Sequence, residues 1–300
     1  MKLQFLTNPF SRTITRFLNN TTNRKMKKKQ LISKKLEDFY NTASEETRLD
    51  SGMGFFEFER IKSLIERHIT TMKATIVDVG GGTGKYSEWL AAKGHEVHLI
   101  EPVEKHIQLA HKRALKSKNP FSVTLGESRQ LDLKNEIADL VILHGPLYHL
   151  QKREDRLQTI REAKRVLKKG GIILGFAINS SASTVAGLMQ GLVHKKPFFE
   201  MCKIELTSGV HNPPKEFPWL LADGFYHKPK QLKKEFTSQG LKIVNLFAVE
   251  GMIWLDNEYF ASMLNPIKKD TLIALLELTE KDESVLAFSP HMLLVAKKEF

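Results

Sequence analysis

The segment Ile76-Val77-Asp78-Val79-Gly80-Gly81-Gly82-Thr83-Gly84 constrains this chain more than any other. A short apolar run that ends in an acid and breaks into glycines reads as a buried strand whose backbone turns sharply and comes close to a ligand. Tyr86, Trp89 and Leu90 then recur at helical spacing before Gly94, so the turn opens a helix. The free N–H groups at a helix start receive polar or anionic groups, and a nucleotide-like cofactor is the expected guest.

Spacing excludes two common nucleotide motifs. The dinucleotide fingerprint G-x-G-x-x-G would need glycine at Lys85, counted from Gly80, or at Ser87, counted from Gly82. The phosphate loop would need glycine at Val79 and a Ser or Thr where Tyr86 follows Lys85. What remains is Asp78-x-Gly80-x-Gly82-x-Gly84. A second strand, Glu96-Val97-His98-Leu99-Ile100, ends in Glu101, where a doubly wound sheet sets an acid against a ribose diol. An acid there favours free ribose hydroxyls.

With these residues the chain resembles the class I S-adenosylmethionine-dependent methyltransferases. Gly126-Glu127-Ser128 matches the adenine-contacting turn of that family, with Glu127 one methylene longer than the usual Asp, and Ala138–Leu143 matches its fourth strand. His144-Gly145-Pro146-Leu147-Tyr148-His149-Leu150 and Arg165-Val166-Leu167-Lys168-Lys169-Gly170-Gly171 are similar to the segments after strand four and before strand five of bacterial small-molecule methyltransferases. The match runs over residues 36–300. The resemblance implies S-adenosylmethionine as cofactor. It would be held by Asp78, Gly80, Gly81, Gly82, Gly84, Tyr86, Glu101, Pro102, Glu127, Ser128, His144 and Gly145. Tyr40 and Arg48 would fold over it.

The expected architecture is α/β: a doubly wound, mostly parallel, seven-stranded Rossmann-like sheet with a helical and loop cap inserted after strand five. Strands are predicted near residues 75–79, 96–100, 121–125, 138–143 and 171–178, with Leu241–Phe247 and Met292–Ala296 as an antiparallel edge hairpin. Two helices should precede the first strand. A helix from Glu154 carries Leu157, Ile160, Ala163 and Leu167 on one face, and Gly170-Gly171 should stop it. The chain then divides into a basic, flexible extension (1–35), a cofactor-binding core (36–178), a cap (179–230) and the rest of the core (231–300). A second insertion interrupts that last part at 252–288. Connections in such folds run to about 2–6 residues, so segments this long are usually lids or binding elements. Both insertions leave carboxyl ends of strands, the edge where ligands of open α/β sheets bind. Phe198, Phe217, Trp219, Phe225, Tyr226 and His227 suit a roof over a small organic acceptor; a satellite core or a dimer contact is the other reading.

Methyl transfer from a sulfonium is an in-line displacement that asks for orientation and, with a protonated acceptor, removal of a proton. No metal is required. Candidate catalytic residues are His144, Tyr148 and His149, which leave strand four toward the expected methyl group, because His titrates near neutrality and a Tyr hydroxyl orients an acceptor. Acceptor contacts are expected from Tyr40, Tyr148, His211, Trp219, Tyr226 and His227. The expected reaction is transfer to an O, N or C nucleophile of a small molecule. RNA or protein methylation and non-catalytic cofactor binding are the alternatives.

The formal charge is +12, but the first 35 residues hold ten Lys or Arg and no acid, leaving +2 for the other 265. A near-neutral body argues against a nucleic-acid partner. The basic, Thr- and Asn-rich start is similar to an organellar transit peptide; a basic arm, or translation from Met26, are further readings. One cysteine, Cys202, excludes an intrachain disulfide and a thiolate metal cluster, and no apolar run reaches membrane-spanning length. A cytoplasmic protein is expected, with organellar targeting by residues 1–25 as the alternative and a homo-oligomer left open.

Overall fold

Apolar residues alternate along the central strands, so each strand feeds two cores, one on either face of a sheet. The structure, a computed structural model, describes residues 31–50 and 52–299. Most of the basic extension, with the readings attached to residues 1–25, lies outside the described residues. The described residues begin with α1 (Lys34–Thr42), α2 (Glu45–Arg48) and α3 (Gly52–Glu66), three described helices where two were expected. The extra break falls at Ala43, whose extended backbone (ψ 144°) ends α1. The core follows as β1 (Thr75–Val79), α4 (Lys85–Ala92), β2 (Glu96–Glu101), α5 (Glu104–Lys116), β3 (Ser122–Leu125), β4 (Ala138–Leu143), α6 (Pro146–His149), α7 (Arg153–Val166) and β5 (Leu167–Ile178). The first insertion holds α8 (Ala182–Met189), α9 (Lys196–Ser208) and a two-stranded ladder, β6 (Val210–His211) with β7 (Gly224–Phe225). After α10 (Pro229–Thr237) and β8 (Lys242–Ala248), the second insertion folds as α11 (Tyr259–Leu264) and α12 (Pro266–Thr279), and β9 (His291–Lys297) closes the sheet.

The seven strands lie in the order β3-β2-β1-β4-β5-β9-β8. The first five are mutually parallel, and β9 runs antiparallel between β5 and β8. Ile76, Leu140, Ile142, Leu174 and Phe176 pack on one face with Leu64, Ile65, Leu90 and Ala110 of α3, α4 and α5. Val77, Val79, Val141, Leu143, Ile173 and Ala177 point the other way, onto Ile160 and Ala163 of α7 and Leu232 and Phe236 of α10. This period-two division makes the sheet doubly wound. The α/β architecture is the expected one.

Gly170-Gly171 does not stop α7. The helix ends at Val166, Leu167 is already extended and pairs with Ala138, and both glycines belong to β5. A side chain has no room at Gly171, where a Cβ would sit 2.8 Å from a Leu167 methyl and 3.0 Å from the Asp139 carbonyl oxygen of β4, and Gly170 takes a left-handed φ of +77°. Phe198, Met201, Cys202 and Phe217 of the first insertion form a small core of their own, and Ile253, Tyr259, Met263 and Leu276 of the second pack on Phe56 of α3.

Candidate functional site

The glycine turn sits at the carboxyl end of β1, between β2 and β4. Gly80 donates its N–H to the Ile100 carbonyl (2.7 Å), and a Cβ there would lie 2.0 Å from the His144 carbonyl oxygen, so no side chain fits. Gly82 is different: its φ is +56°, and a Cβ would meet nothing within 4 Å. Gly81, which packs on Asp78, and Gly84, beside Phe121, complete the turn.

Glu101 is buried at the end of β2 and anchors this turn. Its carboxylate accepts from the N–H of Gly82 (3.1 Å) on one oxygen, and from Val103 N–H (3.0 Å) on the other, which also faces His106 Nδ1 at 3.2 Å. Pro102 follows, half-buried. The turn after β3 lies one strand further out, where Glu127 pairs with Arg129 (2.5 Å) and Ser128 with Thr159 (2.8 Å). These are the residues that the resemblance expects near ribose and adenine.

The end of β4 supplies the polar centre. His144 is stacked between Tyr86 and Phe176, with ring centroids 4.6 and 4.4 Å away. Its Nδ1 lies 3.1 Å from Asp78, a fully buried acid whose second oxygen accepts from Ser87 Oγ (2.8 Å). A carboxylate only accepts, so the imidazole donates from Nδ1 and turns Nε2 away from Asp78. That nitrogen is buried and has no partner. Gly145, with φ +110°, then turns the chain into α6, where Tyr148 and His149 follow.

His149 is a different kind of histidine. Its Nε2 is 2.7 Å from the Tyr40 hydroxyl, which brings α1 over the site, and burial pushes its pKa down to about 3, with His106 and His211 adding to the effect. It is neutral at physiological pH and a weak base. Burial raises the Tyr148 phenol well above its ordinary range; Arg48 opposes that, and Glu57, Glu45 and Glu101 add to it. The Tyr86 phenol is also raised by burial. Both hydroxyls keep their protons.

The cap residues divide. Tyr226 stacks on His211 at 4.4 Å, and β7 passes so close that a Cβ on Gly224 would lie 2.4 Å from the Tyr148 carbonyl oxygen. His211 is fully buried with both nitrogens engaged, Nδ1 by Glu205 (2.6 Å) and Nε2 by the Leu221 carbonyl (2.9 Å). His227 faces Glu235 (3.3 Å) in a buried group with Arg156, whose guanidinium lies 3.6 Å over Phe225 and donates to the Leu150 and Gln151 carbonyls. Trp219 is 64 % exposed and packs on Phe217. Thus Tyr40, Asp78, Tyr86, Glu101, His144, Tyr148 and His149 come together, while Trp219 and His227 stand apart.

Sequence reading missed three residues of this neighbourhood. Glu57 of α3 receives both terminal nitrogens of Arg48 (2.8 and 3.3 Å), and Arg48 Nε donates to Glu45 (2.9 Å). His291, at the start of β9, donates from Nδ1 to Glu250 (2.6 Å); burial lowers its pKa, but Glu250 outweighs that and holds it at about 9. Glu57, Glu250 and His291 each offer an atom within 4.8 Å of the others. An acid inside Phe55-Phe56-Glu57-Phe58 was the available signal.

Residues 77–175 match the methyltransferase domain family. Two curated relatives are similar: a ubiquinone biosynthesis O-methyltransferase of Paramagnetospirillum magneticum, 29% identical over 154 residues (50% of this chain, 57% of that protein), and the putative methyltransferase YqeM of Bacillus subtilis, 32% identical over 110 residues (36% and 44%). The chain thus spans about half the length of the curated relatives it matches. Among solved structures, a SAM-dependent methyltransferase of Methanosarcina mazei superposes with TM-score 0.56 at 17% identity, over 79% of this chain and 97% of that one. The CcbJ methyltransferase of Streptomyces caelestis gives 0.53 at 14%, over 83% and 97%. At such identities the shared property is the fold.

Proposed function

We propose that this chain, whose residues 77–175 match a methyltransferase domain, transfers a methyl group from S-adenosylmethionine to a nucleophile on a small molecule. One observation carries the reading. Tyr86 Oη, His106 Nε2, His144 Nε2 and His149 Nδ1 are all buried without a hydrogen-bond partner, and their residues adjoin the glycine turn, Glu101 and the end of β4. Each such atom costs about 1–3 kcal/mol, so orphans gathered at one sheet edge indicate a ligand that completes them. The site fits the cofactor: Gly82 leaves its flank open, and Glu101 retains lone pairs for a ribose diol.

When bound, the cofactor supplies an activated methyl group. The chain supplies orientation and a proton path. Asp78 holds the imidazole of His144 so that Nε2 faces the site as a base, and an acceptor O–H or N–H gives its proton to that nitrogen. The Tyr148 hydroxyl, kept neutral, orients the acceptor. The Tyr40 contact of α1 and the cap strand beside Tyr148 limit water. A small-molecule acceptor agrees with the ubiquinone-biosynthesis relative and with the near-neutral charge of residues 36–300.

Titration calorimetry with S-adenosylhomocysteine tests this directly. One-site binding to the full-length protein is expected, and no heat at millimolar ligand would overturn the reading.

A further inference from the structure

We propose that the outer face of the cap docks on an anionic lipid bilayer, with Phe199 and Trp219 as apolar anchors and Lys195, Lys196 and Lys203 meeting the headgroups. This surface lies outside the methyl-transfer reading and does not depend on it. The two sides of α9 are the starting point. Phe198, Met201, Cys202 and Glu205 turn inward and are buried. Lys195, Phe199, Lys203 and Leu206 recur at helical spacing on the other side, where Phe199 is 50 % exposed. The strip continues beyond the helix. Lys195 Nζ lies 5.8 Å over the Phe217 ring, which meets the exposed Trp219 edge-on at 5.4 Å. The end of α8 adjoins it, with Gly187 packed against Phe198 and the next residues, Leu188 and Met189, exposed. Apolar surface gathered in this way marks a binding face.

The charges select the partner. Residues 188–219 carry Lys195, Lys196, Lys203 and Lys215 against Glu200 and Glu216, while Glu205, the remaining acid, is buried and held by His211. The excess is cationic and complements anionic headgroups. Lys203 pairs with Glu200 at 2.9 Å, but both side chains are exposed, and such a pair yields readily to a phosphate. Long lysine stems let the ammonium groups rise to the headgroups while the aromatic rings enter the acyl boundary, the level at which Trp settles in bilayers. A protein partner fits less well: protein interfaces are enriched in Arg and depleted in Lys, and residues 179–230 contain no Arg. A second copy fits less well again, because a two-fold contact through this face would set the lysines against their own copies.

The test uses the full-length protein with vesicles of phosphatidylcholine, alone or mixed with phosphatidylglycerol. The ten basic residues among the first 35 also attract anionic lipid, so the readouts must report the cap itself. Tryptophan emission should shift to the blue on mixed vesicles and be quenched by brominated acyl chains. Trp219→Phe, which keeps Trp89 and Trp254, should lose both changes. Phe199→Ser with Trp219→Ser should weaken partitioning at least about tenfold. Lys195→Gln, Lys196→Gln and Lys203→Gln together should weaken it at least about tenfold on mixed vesicles, with little change on phosphatidylcholine alone. These substitutions replace exposed side chains, so the urea midpoint should stay at the wild-type value. Absence of binding to mixed vesicles overturns the proposal. So does binding that survives the Phe199 and Trp219 pair without quenching at Trp219, which would assign it to the basic extension. A dimer in sedimentation that the same pair dissociates would likewise overturn it and make this face a contact between copies.

Discussion

Glu101 ties the glycine turn to the end of β2, because its carboxylate holds the Gly82 and Val103 amides together. Glu101→Ala removes these acceptors together; with charged hydrogen bonds at ~1.5–3 kcal/mol each, S-adenosylmethionine affinity should fall about tenfold to a thousandfold. Gly82→Val, at φ +56°, should be at least as damaging, since it strains the turn as well as filling the flank. Calorimetry on both variants decides this, and near-wild-type affinity would sink the cofactor assignment. The two histidines after β4 differ in consequence. His144→Ala should lower turnover by about 10²–10⁴-fold, the usual range for a lost general base, with a smaller effect on cofactor affinity. His149→Gln should lower it less, because a nitrogen with a pKa near 3, already facing Tyr40, is a poor proton acceptor. The reverse ranking in single-turnover assays would transfer the proton role to His149.

At the scale of elements, α1 lies over the site through polar contacts, with Leu36 its one buried residue. Lys105 of α5 donates to the carbonyls of Tyr40, Asn41 and Ala43 at the end of α1 (3.3, 3.1 and 2.9 Å), a cation where a helix carries partial negative charge. Lys105→Met should loosen α1, and stopped-flow binding should show faster cofactor release; an unchanged off-rate would mean that α1 does not gate the ligand. The cap can be tested by exchanging residues 183–222 for a Gly/Ser linker. Gly224–His227 must stay, since Phe225 packs on Arg156 and His227 on Glu235, and exposing that buried ion pair would confound the result. Cofactor binding should persist and methyl transfer should be lost, because the acceptor loses its wall and its shield from water. Transfer at the wild-type rate would make the cap structural only.

For the whole molecule, buried neutral histidines set the acid limit. Burial lowers the pKa of both His149 and His227, so the unfolded chain binds more protons than the native one below the ordinary histidine pKa of about 6.5. The stability they contribute is complete above that pH and is lost as pH falls toward 3 for His149. His149→Gln should flatten the acid limb of a stability–pH curve by up to about 1.4 kcal/mol per pH unit. An unchanged slope in urea unfolding between pH 6 and 4 would show that this histidine is protonated in the native state. Among the described residues, no helix is long and apolar enough to cross a membrane.

The seven strands, their two-faced burial and the glycine turn were legible in the sequence, because apolar alternation and the glycine spacing are local properties that follow from backbone geometry alone. Glu101 was legible for the same reason, standing at a fixed chain distance from the turn. Other features depended on contacts between distant segments. The sequence shows His144 and His149 alike; only the fold sets one on Asp78, 66 residues away, and the other on Tyr40, 109 residues away, which leaves the first with an unpartnered Nε2 and makes the second a neutral spacer. His211 looked like a ligand contact until Glu205 and Leu221 engaged both its nitrogens. Glu57, Glu250 and His291 come from a helix before β1, the loop after β8 and the last strand, and no spacing rule connects them. Electrostatic character depends on which charges share a space, and tertiary packing alone brought these together.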